Sequence, residues 1–161
     1  MESAGRAATW QRAGEGDRTT RAADLSRRDV GSRAHPPEDT MRAVIRHLLT
    51  DTDPAAFAPD DPEKFVFLVQ MLAGPSDGPG EESFQFEVCT PGWLLERTRR
   101  EGPVNGRHQV IVEHFNWSAL EIYFQRLVTR CWGSDWNEVA TKLGRYGYWE
   151  FEDYTPRLET D

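Results

Sequence analysis

Acidic side chains near the carboxyl end of the chain have the type and spacing that could support acid–base chemistry. In the segment WEFEDY, Glu150 and Glu152 alternate with Trp149 and Phe151, and Asp153 follows. Paired carboxyl groups can donate and accept protons during catalysis. The same alternation is typical of a surface strand, and aromatic side chains beside carboxylates also suit contact with a basic protein. The pattern alone therefore leaves catalysis, a solvated face and a protein-contact face open.

Cysteine and histidine give little support for nucleophilic or metal chemistry. Cys89 lies in an alternating segment and Cys131 on an apolar helical face, so both are expected to be core thiols. No GxSxG nucleophile elbow occurs in the sequence. His108 and His114 are too far apart along an extended segment to bind one ion directly. We therefore expect no catalytic residue, no bound metal and no cofactor.

Several segments that flank these residues have the patterns of strands. The first strand is predicted to start at Met41 and to include Leu48, although a short helix would also fit its apolar spacing. Residues 65–72 and 83–89 are predicted to form an antiparallel pair, joined by the turn sequence GPSDGPGEE. Residues 107–115 are apolar on both faces, which favours a strand inside the sheet.

Three segments have helical signals. The first helix is predicted to begin after Thr90 and to end near Gly102, and the second to run from Asn116 to Gly133. The third follows directly, in DWNEVATKLGRYG. The predicted apolar faces are Leu120, Phe124, Leu127, Val128 and Cys131 on the second helix, and Trp136, Val139, Ala140 and Leu143 on the third. Together the elements predict an α+β fold: a mixed or mostly antiparallel sheet of four to five strands, with two or three helices packed on one face.

Length and charge narrow the class of protein. The chain has 161 residues, enough for one compact domain, and a net charge of −8 from 27 acidic and 19 basic side chains. Surplus negative charge repels nucleic acids and anionic membranes and favours a basic protein partner. No apolar run is long enough to span a bilayer, and the amino terminus has no apolar signal region. We expect a cytoplasmic protein that binds neither nucleic acid nor membrane.

The amino-terminal part differs from the rest. Residues 1–40 have balanced charge and a single aromatic residue, Trp10, so they are expected to be a disordered or misassigned leader, with Met41 as the alternative start. A functional tail stays open as the other explanation. Residues 41–161 hold all of the net negative charge and are expected to form a single domain.

Two segments are more specific than their periodicity requires: EESFQFEVCTPGWL, residues 81–94, and DWNEVATKLGRYGYWEFEDY, residues 135–154. With the GP at residues 74–75 and RHQVIVEHF between them, they resemble the immunity protein 8 family of bacterial polymorphic toxin systems. The resemblance covers residues 41–154. It implies an immunity-type domain that binds and neutralises a cognate toxin domain and has no enzymatic activity. The residues that match its recurrent segments, and are the candidates for partner binding, are Glu81, Glu82, Trp149, Glu150, Glu152 and Asp153.

The charge of the chain agrees with this interpretation. Many such toxins are nucleases and therefore basic, and an acidic inhibitor can occupy a site built for phosphates. We expect steric and electrostatic blocking of a basic toxin domain. Two other functions remain open: a small carboxylate-dependent enzyme, and a general regulatory or scaffold module. The sequence contains no signal for the oligomeric state.

Overall fold

The structure, a computed structural model, describes residues 39–153. The predicted leader, residues 1–40, lies outside the described residues except for its last two, and so do residues 154–161 of the predicted domain. The described part contains three α-helices and six strands that form one mixed sheet. This confirms the predicted α+β fold.

The three longest strands lie side by side and antiparallel. They are β1 (Met41–Thr50), β2 (Val66–Pro75) and β3 (Glu82–Cys89). The register places Val69 of β2 opposite Phe86 of β3, and both side chains are buried. Period-two alternation of apolar residues thus directs one face of each strand into the core. The predicted pairing of β2 with β3 is confirmed, and the first segment is a strand rather than a helix.

The turn between β2 and β3 depends on glycine. A Cβ atom at Gly74 would lie 2.0 Å from the carbonyl oxygen of Gly80. This distance is too short for any residue with a side chain. Gly80 itself has a φ of +95°, in the left-handed region that favours glycine. In the predicted turn, the backbones of Gly74 and Gly80 therefore lie close together, which helps to hold the two strands in register.

β1 contains a bulge that changes which side chains face the core. The register against β2 shifts between Ile45, opposite Ala73, and His47, opposite Leu72. The extra residue, Arg46, lets Ile45 and Leu48 both pack against the core although they are three residues apart.

Short strands complete the sheet on both sides. β4 (Gln109–Ile111) runs parallel to the end of β3, and β6 (Tyr148–Trp149) runs antiparallel to its start. β5 (Trp132–Gly133) pairs with the start of β1. The order across the sheet is β4-β3-β2-β1-β5. β6 pairs with the same edge of β3 as β4 does.

The position of β4 corrects one prediction. Residues 107–115 were expected inside the sheet, but the strand has only three residues and lies at the end of the sheet. Its apolar side chains divide between the two faces: Val110 is buried, whereas Ile111 is 58% exposed. Apolar residues on both faces therefore did not show that this short strand lies inside the sheet with a partner strand on each edge.

Three helices are present: α1 (Pro91–Glu101), α2 (Trp117–Arg130) and α3 (Trp136–Leu143). Each begins after a residue whose side chain accepts a hydrogen bond from the backbone N–H three residues later: Thr90, Asn116 and Asp135. The predicted second helix ends earlier than Gly133, because the chain leaves it after Arg130 to form β5.

α2 and α3 pack on one face of the sheet and enclose the core. The predicted apolar face of α2 is buried, and so is that of α3 except for the partly buried Trp136. The buried core residues are Ala43, Val69, Met71, Ala73, Phe84, Phe86, Val88, Val110, Leu120, Phe124, Leu127, Val128, Cys131, Val139, Ala140 and Leu143. Within residues 39–153, no helix combines the length and apolar character needed to cross a membrane.

α1 lies apart from the other two helices. It contributes no buried residue, and its Arg97 Nη1 lies 3.4 Å from Glu87 Oε2. Glu87 sits between the core residues Phe86 and Val88, so its side chain points to the opposite face of the sheet. Two helices therefore cover one face, and the third contacts the other.

Candidate partner-binding surface

β6 brings together the two segments that supply the candidate residues. Trp149 lies directly opposite Phe84 in the antiparallel pairing of β6 with β3. Residues 81–82, at the start of β3, therefore lie beside residues 149–153, which include the end of β6 and the turn that follows. All six candidates belong to these two segments, so the fold places them in one region of the surface.

A glycine allows the chain to reach this position. Gly147, just before β6, is buried, and a Cβ atom there would lie 2.5 Å from the ring of Phe86. Phe86 is itself almost fully buried against Phe124 of α2, with ring centroids 4.9 Å apart. Because the ring cannot move aside in a packed core, only glycine fits at residue 147.

Glu82 and Trp149 are bonded to each other. The indole Nε1–H of Trp149 donates a hydrogen bond of 2.8 Å to Glu82 Oε2. The indole ring also stacks nearly parallel to Phe84, with centroids 6.4 Å apart. Both side chains are partly buried. They connect the two segments and present little surface to a partner.

Glu150 is tied to the backbone of β3. Its Oε1 accepts a hydrogen bond of 2.7 Å from the backbone N–H of Ser83, and its own N–H donates to the Ser83 carbonyl at 3.2 Å. The Ser83 hydroxyl in turn accepts from Gln70 Nε2 at 2.8 Å. Glu150 remains exposed to solvent, so its carboxylate both anchors the turn and adds negative charge to the surface.

Glu152 binds residues that precede β4. Its carboxylate forms an ion pair with Arg107 and lies 3.8 Å from His108 Nε2. The same His108 nitrogen is 3.3 Å from the carbonyl oxygen of Gly144. His108 has a φ of +64°, uncommon for a residue with a side chain. Glu152, with a side chain 21% exposed, therefore joins the last turn to the loop that leads into β4.

The other two candidates point into solvent. Glu81 and Asp153 are exposed, and neither side chain makes a hydrogen bond or ion pair within residues 39–153. Two aromatic side chains nearby are also exposed, Tyr148 at 47% and Phe151 at 43%. We call Glu81, Tyr148, Glu150, Phe151 and Asp153 the acidic–aromatic surface. It combines negative charge with apolar contact area, as protein partners often require.

The alternation in WEFEDY is typical of a surface strand, but the strand ends at Trp149, the first residue of that segment. β6 ends at Trp149, and residues 150–153 form turns, with the Glu152 N–H donating to the Trp149 carbonyl at 3.0 Å. The sequence interpretation selected Trp149, which is mostly occupied with Glu82 and Phe84. It did not select Tyr148 and Phe151, the exposed aromatic residues, because a turn after Trp149 has no glycine or proline to reveal it.

The thiols are positioned for packing. Cys89 and Cys131 are both buried and free. Burial, together with the nearby carboxylate of Glu87, raises the pKa of the Cys89 thiol to about 11. Burial also raises the pKa of Cys131. A thiol with a raised pKa is mostly protonated near neutral pH and a weak nucleophile.

Two clefts beside the sheet are not lined by the candidate carboxylates. A cleft of about 440 Å³ between β4 and α2 has one carboxylate in its lining, that of Glu113. A hollow of about 240 Å³ on the opposite face of the sheet has Asp51. No group of three or more histidine, cysteine or acidic side chains within residues 39–153 could hold a metal ion. The arrangement of Glu150, Glu152 and Asp153 is thus an anchored surface turn.

A sheet covered on one face by two helices, with exposed charged and aromatic side chains beside its last described strand, defines a small α+β domain. A sequence model of the family described as immunity protein 8 matches residues 43–154. The chain belongs to the immunity protein 8 family, which confirms the resemblance found in the sequence and implies an immunity protein directed against a toxin. Comparisons with curated proteins and with solved structures found no match.

Proposed function

We propose that this protein neutralises a cognate bacterial toxin domain by binding to it in the cytoplasm, without catalysis of its own. Membership of the immunity protein 8 family is the observation that carries the proposal. The surplus of acidic residues and the inert thiols support it. The toxin domain is basic, and the bound immunity protein blocks its site by bulk and by charge.

The acidic–aromatic surface forms part of the contact. Glu81 and Asp153 extend into solvent. Their carboxylates can bind a partner without breaking a hydrogen bond or ion pair within residues 39–153. Tyr148 and Phe151 provide area that loses water on binding. Electrostatic attraction from these carboxylates speeds the encounter with a basic partner, and buried aromatic contacts slow its dissociation.

The remaining candidates shape this surface. Glu82 and Trp149 hold β6 against β3, and Glu152 holds the following turn against Arg107. A turn fixed at both ends loses little conformational entropy on binding, which favours affinity. We therefore assign positioning to these residues and contact to the exposed ones.

A carboxylate-dependent enzyme is less well supported. Glu150 bonds to a backbone N–H and Glu152 to Arg107, and neither lines a cleft described above. A catalytic carboxyl pair would instead be expected to face a pocket able to take a substrate.

Co-expression tests the proposal directly. The carboxyl-terminal domain of the toxin encoded beside this gene is expressed in a bacterial host with the full-length chain or without it. We expect the toxin domain to stop growth alone and growth to recover with the chain present. Purified toxin domain and chain should also form a stable complex, burying on the order of 1,600 Å² as stable inhibitor complexes do. Growth arrest that persists, with no complex formed, would contradict the proposal.

A further inference from the structure

β4 has an open edge among the described residues. The Glu87 N–H donates to the His108 carbonyl at 3.0 Å, and the Val112 N–H donates to the Cys89 carbonyl at 2.9 Å. Backbone groups alternate in direction along a strand, so those of Gln109 and Ile111 point away from β3. Within residues 39–153 no strand, helix or side chain bonds to them. The edge therefore presents unpaired backbone donors and acceptors.

A cleft lies beside this edge. It has a volume of about 440 Å³ and runs between residues 109–114 and the first turns of α2. Its apolar lining includes Val112, Leu120 and Tyr123. Ile111 is the most exposed of the large apolar side chains in the described part of the chain, at 58%. An extended peptide paired with the edge would find apolar area for alternate side chains here.

One buried polar atom of β4 has no hydrogen-bond partner within residues 39–153. Gln109 Nε2 donates to Glu87 Oε2 at 3.0 Å, whereas Gln109 Oε1 is buried and has no hydrogen-bond partner within residues 39–153. A buried acceptor without a donor costs free energy. The amide lies with Glu87 on the face of the sheet opposite α2, so this acceptor does not face the cleft.

The charge of the cleft indicates the occupant. Glu113 is the one acidic residue in its lining, which includes no lysine or arginine, and His114 and Asn116 are its polar neighbours. A lysine or arginine on the bound segment would therefore meet an uncompensated carboxylate. Arg107, just before β4, forms an ion pair with Glu152, so the edge begins next to the acidic–aromatic surface. A single partner can reach both.

We propose that the toxin domain docks by adding an extended segment, apolar and basic in alternation, to the open edge of β4, with its apolar side chains in the cleft beside α2. The inference rests on the proposed function, because it takes the toxin domain as the partner. Backbone pairing supplies affinity that is independent of sequence, and the cleft and Glu113 select the segment.

Hydrogen exchange tests the backbone pairing. The full-length chain is exchanged into heavy water alone and with the toxin domain from the neighbouring gene. We expect the amides of Gln109 and Ile111, which point away from β3, to exchange about fivefold more slowly in the complex, since a net hydrogen bond contributes roughly 1 kcal/mol. Amides of α1 serve as the internal control and should not change. A complex that forms while the amides of Gln109 and Ile111 exchange as fast as in the free chain would overturn the inference and leave the proposed function intact.

A matched pair of variants tests the edge without altering the core. Ile111→Lys places a charge on the exposed side of β4, where lysine opposes strand addition, and should weaken the Kd by about tenfold or more. Leu95→Lys makes the same chemical change at a similarly exposed position on α1 and should leave the Kd within about twofold. Circular dichroism confirms that both variants fold. Equal affinity of the two variants would contradict docking at β4, and absence of any complex with the unaltered chain would remove the proposed function and this inference together.

Discussion

Trp149 and Glu82, 67 residues apart in sequence, are joined by a hydrogen bond of 2.8 Å from the indole N–H to a carboxylate oxygen. The bond connects the last strand of the described sheet to the start of β3. Both residues were selected from the sequence as candidates for partner contact. Because they bond to each other, their first role is to stabilise the fold. A substitution at either residue can therefore weaken binding by unfolding the domain or by removing a contact, and experiments have to separate these two effects.

Removal of the indole donor should destabilise the domain. Trp149→Phe leaves the partly buried Glu82 carboxylate without this donor and removes part of the stack on Phe84, so we expect a loss of about 1–3 kcal/mol in the free energy of unfolding. Urea denaturation followed by fluorescence measures it. Tyr148→Phe changes an exposed neighbour and should stay within about 0.5 kcal/mol. Equal stability of the two variants would show that the bond contributes nothing.

The ion pair of Glu152 with Arg107 should make a small contribution to stability. Glu152→Ala is expected to cost about 1 kcal/mol, and a double-mutant cycle with Arg107→Ala should give a coupling of about 0.5 kcal/mol, because one partner is half exposed. Asp153→Ala, which removes a carboxylate with no partner in the described structure, is the control and should have no measurable effect on unfolding. A coupling of zero would assign Glu152 to the contact surface instead.

Stability should fall in acid through Glu138. Hydrogen bonds from Lys142 and from Ser134 lower the pKa of its carboxyl from 4.5 to about 2. A carboxylate whose pKa is lower in the folded state stabilises the fold above pH 4.5, and this contribution is lost as the pH falls towards 2. Glu138→Gln should therefore flatten the dependence of the urea midpoint on pH in that window. Glu121→Gln, on the exposed face of α2, should leave the slope unchanged.

Neither cysteine should react in the folded protein. With the Cys89 pKa at about 11, almost all of that thiol is protonated at pH 8, and both sulfurs are buried. Treatment with iodoacetamide at pH 8 should leave the mass of the native protein unchanged, whereas addition of the reagent in urea should give two modifications. Rapid single modification of the native protein would contradict this expectation and reopen nucleophilic chemistry.

Charge reversal on the acidic–aromatic surface should slow association with the toxin domain. We expect the double variant Glu81→Lys, Asp153→Lys to reduce the association rate constant by about tenfold at low salt, with the difference shrinking as salt rises. Neither side chain has an internal bond to lose, so the unfolding midpoint should not move. Asp60→Lys, in the exposed loop before β2, is the matched control. An association rate unaffected by the double variant would remove this surface from the contact.

The helices and long strands were predictable because their signals are local. The Thr90 cap before a proline indicates α1, and the Asn116 cap with the apolar spacing that follows indicates α2, each over consecutive residues. β1 was ambiguous for a physical reason. Its bulge at Arg46 places Ile45 and Leu48 on one face, a spacing that also suits a helix, and only pairing with β2 resolves the choice.

The short strands and the bonds of the candidate carboxylates were not predictable from local sequence. β5 and β6 have two residues each, so their existence depends on neighbours distant in the chain. The matching segments named residues in 81–82 and 149–153 as candidates for partner binding, but did not indicate that the two segments lie side by side. Nothing in those segments distinguishes Glu82, which bonds to Trp149, from Glu81, which does not, since the difference arises only when β6 meets β3.

Gly147 sets a boundary for any effort to redirect this protein to another toxin. A library that varies Glu81, Tyr148 and Asp153 can sample new contacts, because these side chains stand clear of the packed interior. Alanine at residue 147 would force the ring of Phe86 out of place and shift β6 with it. Under the proposed function, exposed positions can therefore change to fit a new toxin, whereas residue 147 has to stay glycine.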